Sequence, residues 1–426
     1  MKLEVGYIDI RDIKLADESR VKDGVLYVNA KEMEALALED EHLEAVSFDV
    51  ARPGESVRIT PVKDVIEPRA KVEGPGDVFP GVITKLNTVG SGRTHVLRGA
   101  AVVTVGKIVG FQEGIVDMTG TGAQYTPFSE TNNLVVNFTP KDGLTAHEYE
   151  AAIRKAGLKI AYALGKLGVD KTPDETKIFE FQSVMEAAEK YPGLPRVGYV
   201  QMLQSQGLLH DTYVYGVDMK QSHTTMLSPT EVMDGAILSG NCVSACDKNT
   251  TYHHQNNPVI EDLFSEHGKT LIFAAMIITN ENVYLADKVR SSDWVAKLVA
   301  YLGLDGVIIS QEGFGNPDTD LIMNCKKIEE AGVHTVIITD EYAGRDGTSQ
   351  SLADADPRAD ALVTAGNANQ VITLPKLDRV IGTLDYTEKI AGGFAGSIDA
   401  DGCITVELQA ITGSTNELGF SRLSAR

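Results

Sequence analysis

Cysteine is scarce in this chain of 426 residues: four in all, Cys242, Cys246, Cys325 and Cys403, too few to staple a protein of this length into a disulfide framework. Long apolar runs are missing as well. The longest, Leu271 to Ile278, falls far short of the ~18 residues of a membrane span. Met1 to Arg11 carries Lys2, Glu4 and Asp9 among its apolar residues, so it does not read as a signal peptide and a cytoplasmic protein is expected. Basic residues are outnumbered, 39 Lys plus Arg against 60 Asp plus Glu, and the net charge of −21 argues against a general binder of nucleic acid or anionic membrane. No phosphate cradle is present either: Gly120-Thr121-Gly122 and Gly90-Ser91-Gly92 match neither a dinucleotide fingerprint nor a P-loop. There is no Cys-x-x-Cys pair, no internal repeat and no low-complexity segment.

What is present is a globular composition, 43% hydrophobic and 23% charged, in a chain long enough for two or three domains. Up to residue 140, short β-like runs (Leu3 to Ile10, Val25 to Asn29, Ser56 to Thr60, Leu97 to Val105) alternate with Pro-Gly turns, which predicts a β-rich N-terminal region. Residues 141–241 read as mixed. Thr145-Ala146-His147-Glu148 has the form of a capping box before a helix, Val197 to Leu203 reads as a buried strand, and Ser228-Pro229-Thr230-Glu231 opens a helix expected to fade at Ser239-Gly240. Asn241 to Asn257 is polar and without period, the pattern of a loop joining two halves. Residues 242–426 then alternate strand and helix. Strands are expected at Leu271 to Ile278, Gly306 to Ser310, Thr335 to Thr339 and Ala361 to Thr364, with helices at Ser292 to Leu302 and Pro317 to Ala331. The fold class is therefore α/β (α+β overall), a β-rich start followed by a largely parallel sheet flanked by helices.

Ligands of open α/β sheets bind beyond the carboxyl ends of the strands, so the residues there are candidates. They include Glu281, Glu312 and Glu341, suited to holding an amine or moving a proton, and Arg345, suited to clamping a carboxylate. Loops are polar in any case, and the same residues also read as ordinary surface. The sharper feature is Ser239-Gly240-Asn241-Cys242. A thiol at a tight glycine-flanked turn can attack the preceding carbonyl to give a thioester; β-elimination and hydrolysis then break the chain and leave a pyruvoyl group, with loss of ammonia. A loop without chemistry reads equally from these four residues. An intein-like splice junction is disfavoured, because Gly240 stands where such elements place a histidine. Cys242 and Cys246, with His253-His254 behind them, have the residue types of a zinc site, but no second thiol pair accompanies them and adjacent histidines point apart. No metal and no nucleotide are predicted.

The run Asp234 to Ser244, DGAILSGNCVS, resembles the processing site of the α/β proprotein of component B of the clostridial glycine, sarcosine and betaine reductases. Arg52 to Arg58, Val89 to His95, Gly207 to Asp211 and Ser310 to Asp320 are similar to the same family, so the likeness runs end to end and is nearest the glycine form. The resemblance implies cleavage between Asn241 and Cys242, giving an upstream subunit 1–241 and a pyruvoyl-bearing subunit 242–426 that stay together. It also implies an oxidoreductase of anaerobic amino-acid fermentation. The Cys242-derived carbonyl would condense with the amine of glycine, and a selenocysteine of a separate γ subunit would attack the α-carbon as ammonia leaves. The carboxymethyl group would pass to selenoprotein A, component C would form acetyl phosphate, and thioredoxin would supply the electrons. Betaine cannot form an iminium, so glycine ranks before sarcosine and sarcosine before betaine. An uncleaved scaffold subunit that only holds the selenoprotein is the rival reading.

Overall fold

Local signals set where the long elements begin. Thr145 caps the helix Ala146–Lys166 by accepting the N–H of Glu148, whose carboxylate accepts the N–H of Thr145 at 2.8 Å. Tyr149, Ile153, Ala156, Ile160 and Leu164, on one face at helical spacing, are buried in the N-terminal core. This computed structural model describes residues 1–240 and 243–418, together with the backbone of residues 424 and 425. Asn241 and Cys242, the foremost sequence candidates, lie outside the described residues.

The N-terminal region is β-rich, as its punctuation predicts. One sheet runs Glu175–Glu180, Lys2–Asp9, Gly92–Arg98, Arg69–Glu73; a second runs Gly114–Asp117, Val57–Ile66, Ala100–Val105, Asn132–Pro140, Leu43–Ala51. The expected single strand Leu97 to Val105 is divided at Gly99, and its two parts enter different sheets.

The third sheet positions the candidate site. Its order is Thr225–Leu227, Ile272–Glu281, Arg196–Gln204, Gly306–Ser310, His334–Glu341, Leu362–Asn367, Ser424–Ala425. All pairings from Ile272–Glu281 across to Leu362–Asn367 are parallel, and only the two outermost are antiparallel. Helices Leu285–Tyr301 and Asn316–Glu330 form the connections and bury Val295, Val299, Leu321 and Ile328 against the strands. Strand Arg196–Gln204 precedes residue 241 yet lies between two strands that follow it, and Arg379–Gly382 pairs back with Val57–Ile66. Thr225–Leu227 likewise pairs with Ile272–Glu281, so backbone hydrogen bonds in two separate sheets tie the two sides of residue 241 together.

Two local expectations change. The helix opened by Ser228 covers only Pro229–Met233, after which Gly235, at φ 89°, reverses the chain and Ile237–Leu238 forms a short strand. Asp234 holds that corner because its carboxylate is taken by Thr94, by the N–H of Gly90 at 2.7 Å and by Lys71. The polar stretch after residue 242 is buried and includes the helix Thr251–Gln255. Its polarity is satisfied inside the protein: Asn416 donates to the carbonyls of Asp247 and Lys248, and Thr251 donates to Asp64. Among the described residues, no helix is long and apolar enough to cross a membrane.

Candidate active site

The carboxyl ends of the parallel strands converge on a buried acidic floor. Strand Ile272–Glu281 ends in Glu281, whose Oε1 accepts the backbone N–H groups of Glu312 at 2.7 Å and Gly313 at 3.1 Å. The side chain of Glu312 is fixed in turn by the N–H of Gln204 at 2.7 Å, the hydroxyl of Thr212 at 2.5 Å and His254 Nε2 at 2.9 Å. Gln204 ends the strand lying between them. Next along the sheet, Asp340 accepts from Thr415 at 3.1 Å, while Tyr342 brings its hydroxyl to 3.2 Å from Cys246 Sγ. Phe314 stacks on the Tyr342 ring with centroids 3.4 Å apart.

Negative charge in this interior is crowded. Asp247, Glu281, Glu312, Asp340 and Glu417 are all buried. Burial pushes the Glu281 carboxyl well up, with the charge of Glu312 adding to it; Asp340 is raised by burial and by Asp247, and Glu417 by burial and by both aspartates. Asp247 is pushed up to about 8, chiefly by burial. Lys248, also buried, is brought down to about 8 by the same desolvation and donates to the carbonyls of Gln112 and Lys63.

The turn leading to residue 241 is held tightly. A Cβ added to Gly240 would fall 1.6 Å from the carbonyl oxygen of Asp211, so only glycine fits there. Ser239 donates its N–H to Thr251 Oγ1 at 3.3 Å, and Thr251 donates to Asp64. Beyond the turn, Gly413 and Thr415 donate backbone N–H groups to the carbonyls of Ala245 and Cys246, so residues 412–418 run alongside the segment that follows Cys242.

The four rim residues expected from sequence divide into two sets. Glu281 and Glu312 are joined directly, as described. Glu341 is buried but occupied, accepting from Thr364 at 2.8 Å and Ser351 at 3.1 Å. Arg345 is exposed and paired with Glu407 at 2.7 Å, outside the acidic floor. The zinc-like set is not assembled by the histidines: His253 Nδ1 meets Thr250 and its ring lies against Phe128, while His254 turns to Glu312. A cavity of about 260 Å³ opens beside the floor, lined by Tyr125, Asn367, Gln370 and Ser414 among others. A wider one, about 570 Å³, is at the opposite, amino ends of the strands around Arg196 and Asp305, away from every group just named. Asp340 belongs with Glu341 and Tyr342 to the strand-end rim read from sequence, whereas sequence reasoning missed Asp211, Asp247 and Glu417 as members of this region.

The profile of the family described as glycine/sarcosine/betaine reductase component B subunits matches residues 1–426. The chain belongs to this family. It is 66% identical over 426 residues to "Glycine reductase complex component B subunits alpha and beta" of Peptoclostridium acidaminophilum, covering 100% of both chains. The protein of the same description from Acetoanaerobium sticklandii is 64% identical over 428 residues, again with 100% of both covered. "Sarcosine reductase complex component B subunit alpha" of Peptoclostridium acidaminophilum is 58% identical over 426 residues, with 100% of both covered. No solved structure matches the chain.

Four of the five strings that carry the component B likeness are distant in sequence and meet in space. Asp234, from the string that contains the turn, is bound by Gly90 and Thr94 of a second string. Gly240 abuts Asp211 of a third, and Glu312 of a fourth accepts from Thr212 directly after it. These four strings thus share one neighbourhood leading up to Gly240, while Arg52 to Arg58 is engaged elsewhere, with Arg58 paired to Asp117.

Proposed function

We propose that this chain is the precursor of the pyruvoyl-bearing, substrate-binding component of a glycine reductase, cut between Asn241 and Cys242 into subunits 1–241 and 242–426. The observation that carries the reading is the fit of Gly240 against Asp211, immediately before the Asn-Cys pair, in a chain 66% identical to a glycine reductase component B. The surroundings suit a carbonyl formed at residue 242: Val243 to Asp247 is buried, which protects an electrophile from water. A pyruvoyl group supplies an electrophilic ketone for an amine.

In this reading the chain's own residues bind and orient. Glu281 and Glu312 hold the ammonium end of the substrate or move its proton, while Glu341 and Arg345 serve at the rim. Arg345 takes a carboxylate only on releasing Glu407. The chain has no selenocysteine and no Cys-x-x-Cys pair, so the nucleophile and electrons come from partners: a selenocysteine-containing γ subunit, selenoprotein A, component C and thioredoxin. Acetyl phosphate is the eventual product, and the setting is the cytoplasm of an anaerobe.

Mass spectrometry under denaturing conditions tests the cut. Two fragments with a carbonyl reactive toward hydroxylamine are expected, and Cys242→Ala should leave one chain of 45.9 kDa. A wild-type chain that stays whole makes it a scaffold subunit instead. In the reconstituted complex, release of ammonia from glycine is expected; methylamine from sarcosine as the preferred reaction would reassign the substrate.

A further inference from the structure

Cys246 Sγ and one carboxylate oxygen each from Asp247 and Asp340 lie within 4.8 Å of one another, and all three residues are buried. The spacing is informative. Cys246 Sγ is 3.6 Å from Asp247 Oδ1. Two ligands of a tetrahedral zinc, at about 2.3 Å for sulfur and 2.0 Å for oxygen, stand roughly 3.5 Å apart. A second observation points into the same place. Glu417 is 1% exposed, its Oε1 has no hydrogen-bond partner, and Asp247 and Asp340 are the strongest charges acting on it. Asp247 Oδ2 is likewise without a partner. Buried carboxylates are ordinarily paired with cations or hydrogen-bond donors, and here several share one interior.

We propose that Cys246, Asp247 and Asp340 form a binding site for a divalent transition metal of the zinc class, with the fourth position open to Glu417, to the Tyr342 hydroxyl or to water. This departs from the metal-free expectation of the sequence, whose disfavoured zinc set joined Cys246 to Cys242 and the two histidines rather than to carboxylates. A thiolate among carboxylates favours zinc, cobalt or iron over magnesium or calcium. Binding displaces the Cys246 thiol proton and any protons held by the two carboxyls to solvent, and the ion's two positive charges offset the three negative ligands to a net of −1. Thr415, whose hydroxyl donates to Asp340 and whose N–H donates to the Cys246 carbonyl, orients two of the ligands from outside.

The location gives the ion a task. It would tie residues 246 and 247 to the end of strand His334–Glu341, anchoring the segment just downstream of residue 242. A new chain end frays unless it is tied down. That anchoring role rests on the cleavage proposed above; the binding of metal does not.

The test uses the full chain stripped with a chelator, then titrated with Zn²⁺ or Co²⁺ alone. Uptake of one ion per chain is expected, with proton release and, for cobalt, a thiolate-to-metal charge-transfer band. Cys246→Ala should remove the band. Asp340→Asn, which preserves shape, should weaken binding by at least the 10- to 100-fold typical of losing an outer partner while keeping the band. If Cys246→Ala does not fold by circular dichroism, Asp340→Asn carries the test alone. Cys242→Ala should bind metal like the wild type even if cleavage is abolished. The proposal is overturned by absence of stoichiometric uptake, by affinity unchanged in Asp340→Asn, or by a band that depends on Cys242 rather than Cys246.

Discussion

Glu281 and Glu312 are acidic residues at the ends of strands that do not touch, yet Glu281 Oε1 accepts the backbone N–H of Glu312 at 2.7 Å across the end of the strand between them. One carboxylate thus shapes the loop that presents the other. Burial raises its proton affinity, and what its two N–H partners require of it is an acceptor oxygen. Glu281→Gln, which keeps an acceptor oxygen, should change stability by less than about 1 kcal/mol, whereas Glu281→Ala strands two buried N–H groups and should cost on the order of 2–5 kcal/mol. Urea denaturation of both variants checks this; equal losses would show that the charge, not the acceptor, matters.

Gly240 offers a sharper steric test. Alanine there places a methyl group 1.6 Å from the Asp211 carbonyl, so the backbone has to move. Gly240→Ala should yield uncleaved chain, and a stability lowered by about 1–3 kcal/mol, the cost typical of overpacking, seen as a lower thermal midpoint. Normal fragments by mass spectrometry would separate the turn's tightness from maturation.

Cleavage should not separate the products. Strand Arg196–Gln204 is hydrogen-bonded on both edges to strands of the downstream part. Size-exclusion chromatography of matured protein should give one species holding both fragments, dissociating only in denaturant. Two native peaks would contradict this pairing.

Asp211 makes stability depend on pH. Burial pushes its carboxyl up to about 7, outweighing the Lys220 ammonium 2.9 Å away. The unfolded value is about 3.9, so between roughly pH 4 and 7 the folded chain binds the extra proton and this group's contribution falls as pH rises, by at most about 1.4 kcal/mol per unit. Above pH 7 both states are ionised and the slope ends. Asp211→Asn lacks the effect, so it should gain stability relative to wild type between pH 5 and 7.5 in urea titrations. A constant difference would refute the assignment.

Much of the fold was legible because its signals are local. The Thr145 box, the strand Gly306–Ser310 and the helix beginning near Pro317 need only neighbours within a few residues, and they appear where expected. Strand ends likewise pointed to Glu281 and Glu312. The burial of residues 243–257 was not legible, because polar composition usually means solvent; here the partners, Asp64 and Asn416, are remote in sequence. Nor could any period reveal that Cys246 and Asp340 approach one another, since long-range packing alone brings them together. The end of the Ser228 helix was missed because the Asp234 corner depends on Thr94 and Lys71.

The placement of Arg196–Gln204 also sets an order of assembly. It is the first strand of its sheet to leave the ribosome, and both of its lasting neighbours are made later. Until they emerge, a nascent chain carries a β-strand with two open edges, the kind of surface that pairs with other chains. Growth of the sheet therefore proceeds outward from an interior strand, through pairings that close long loops slowly.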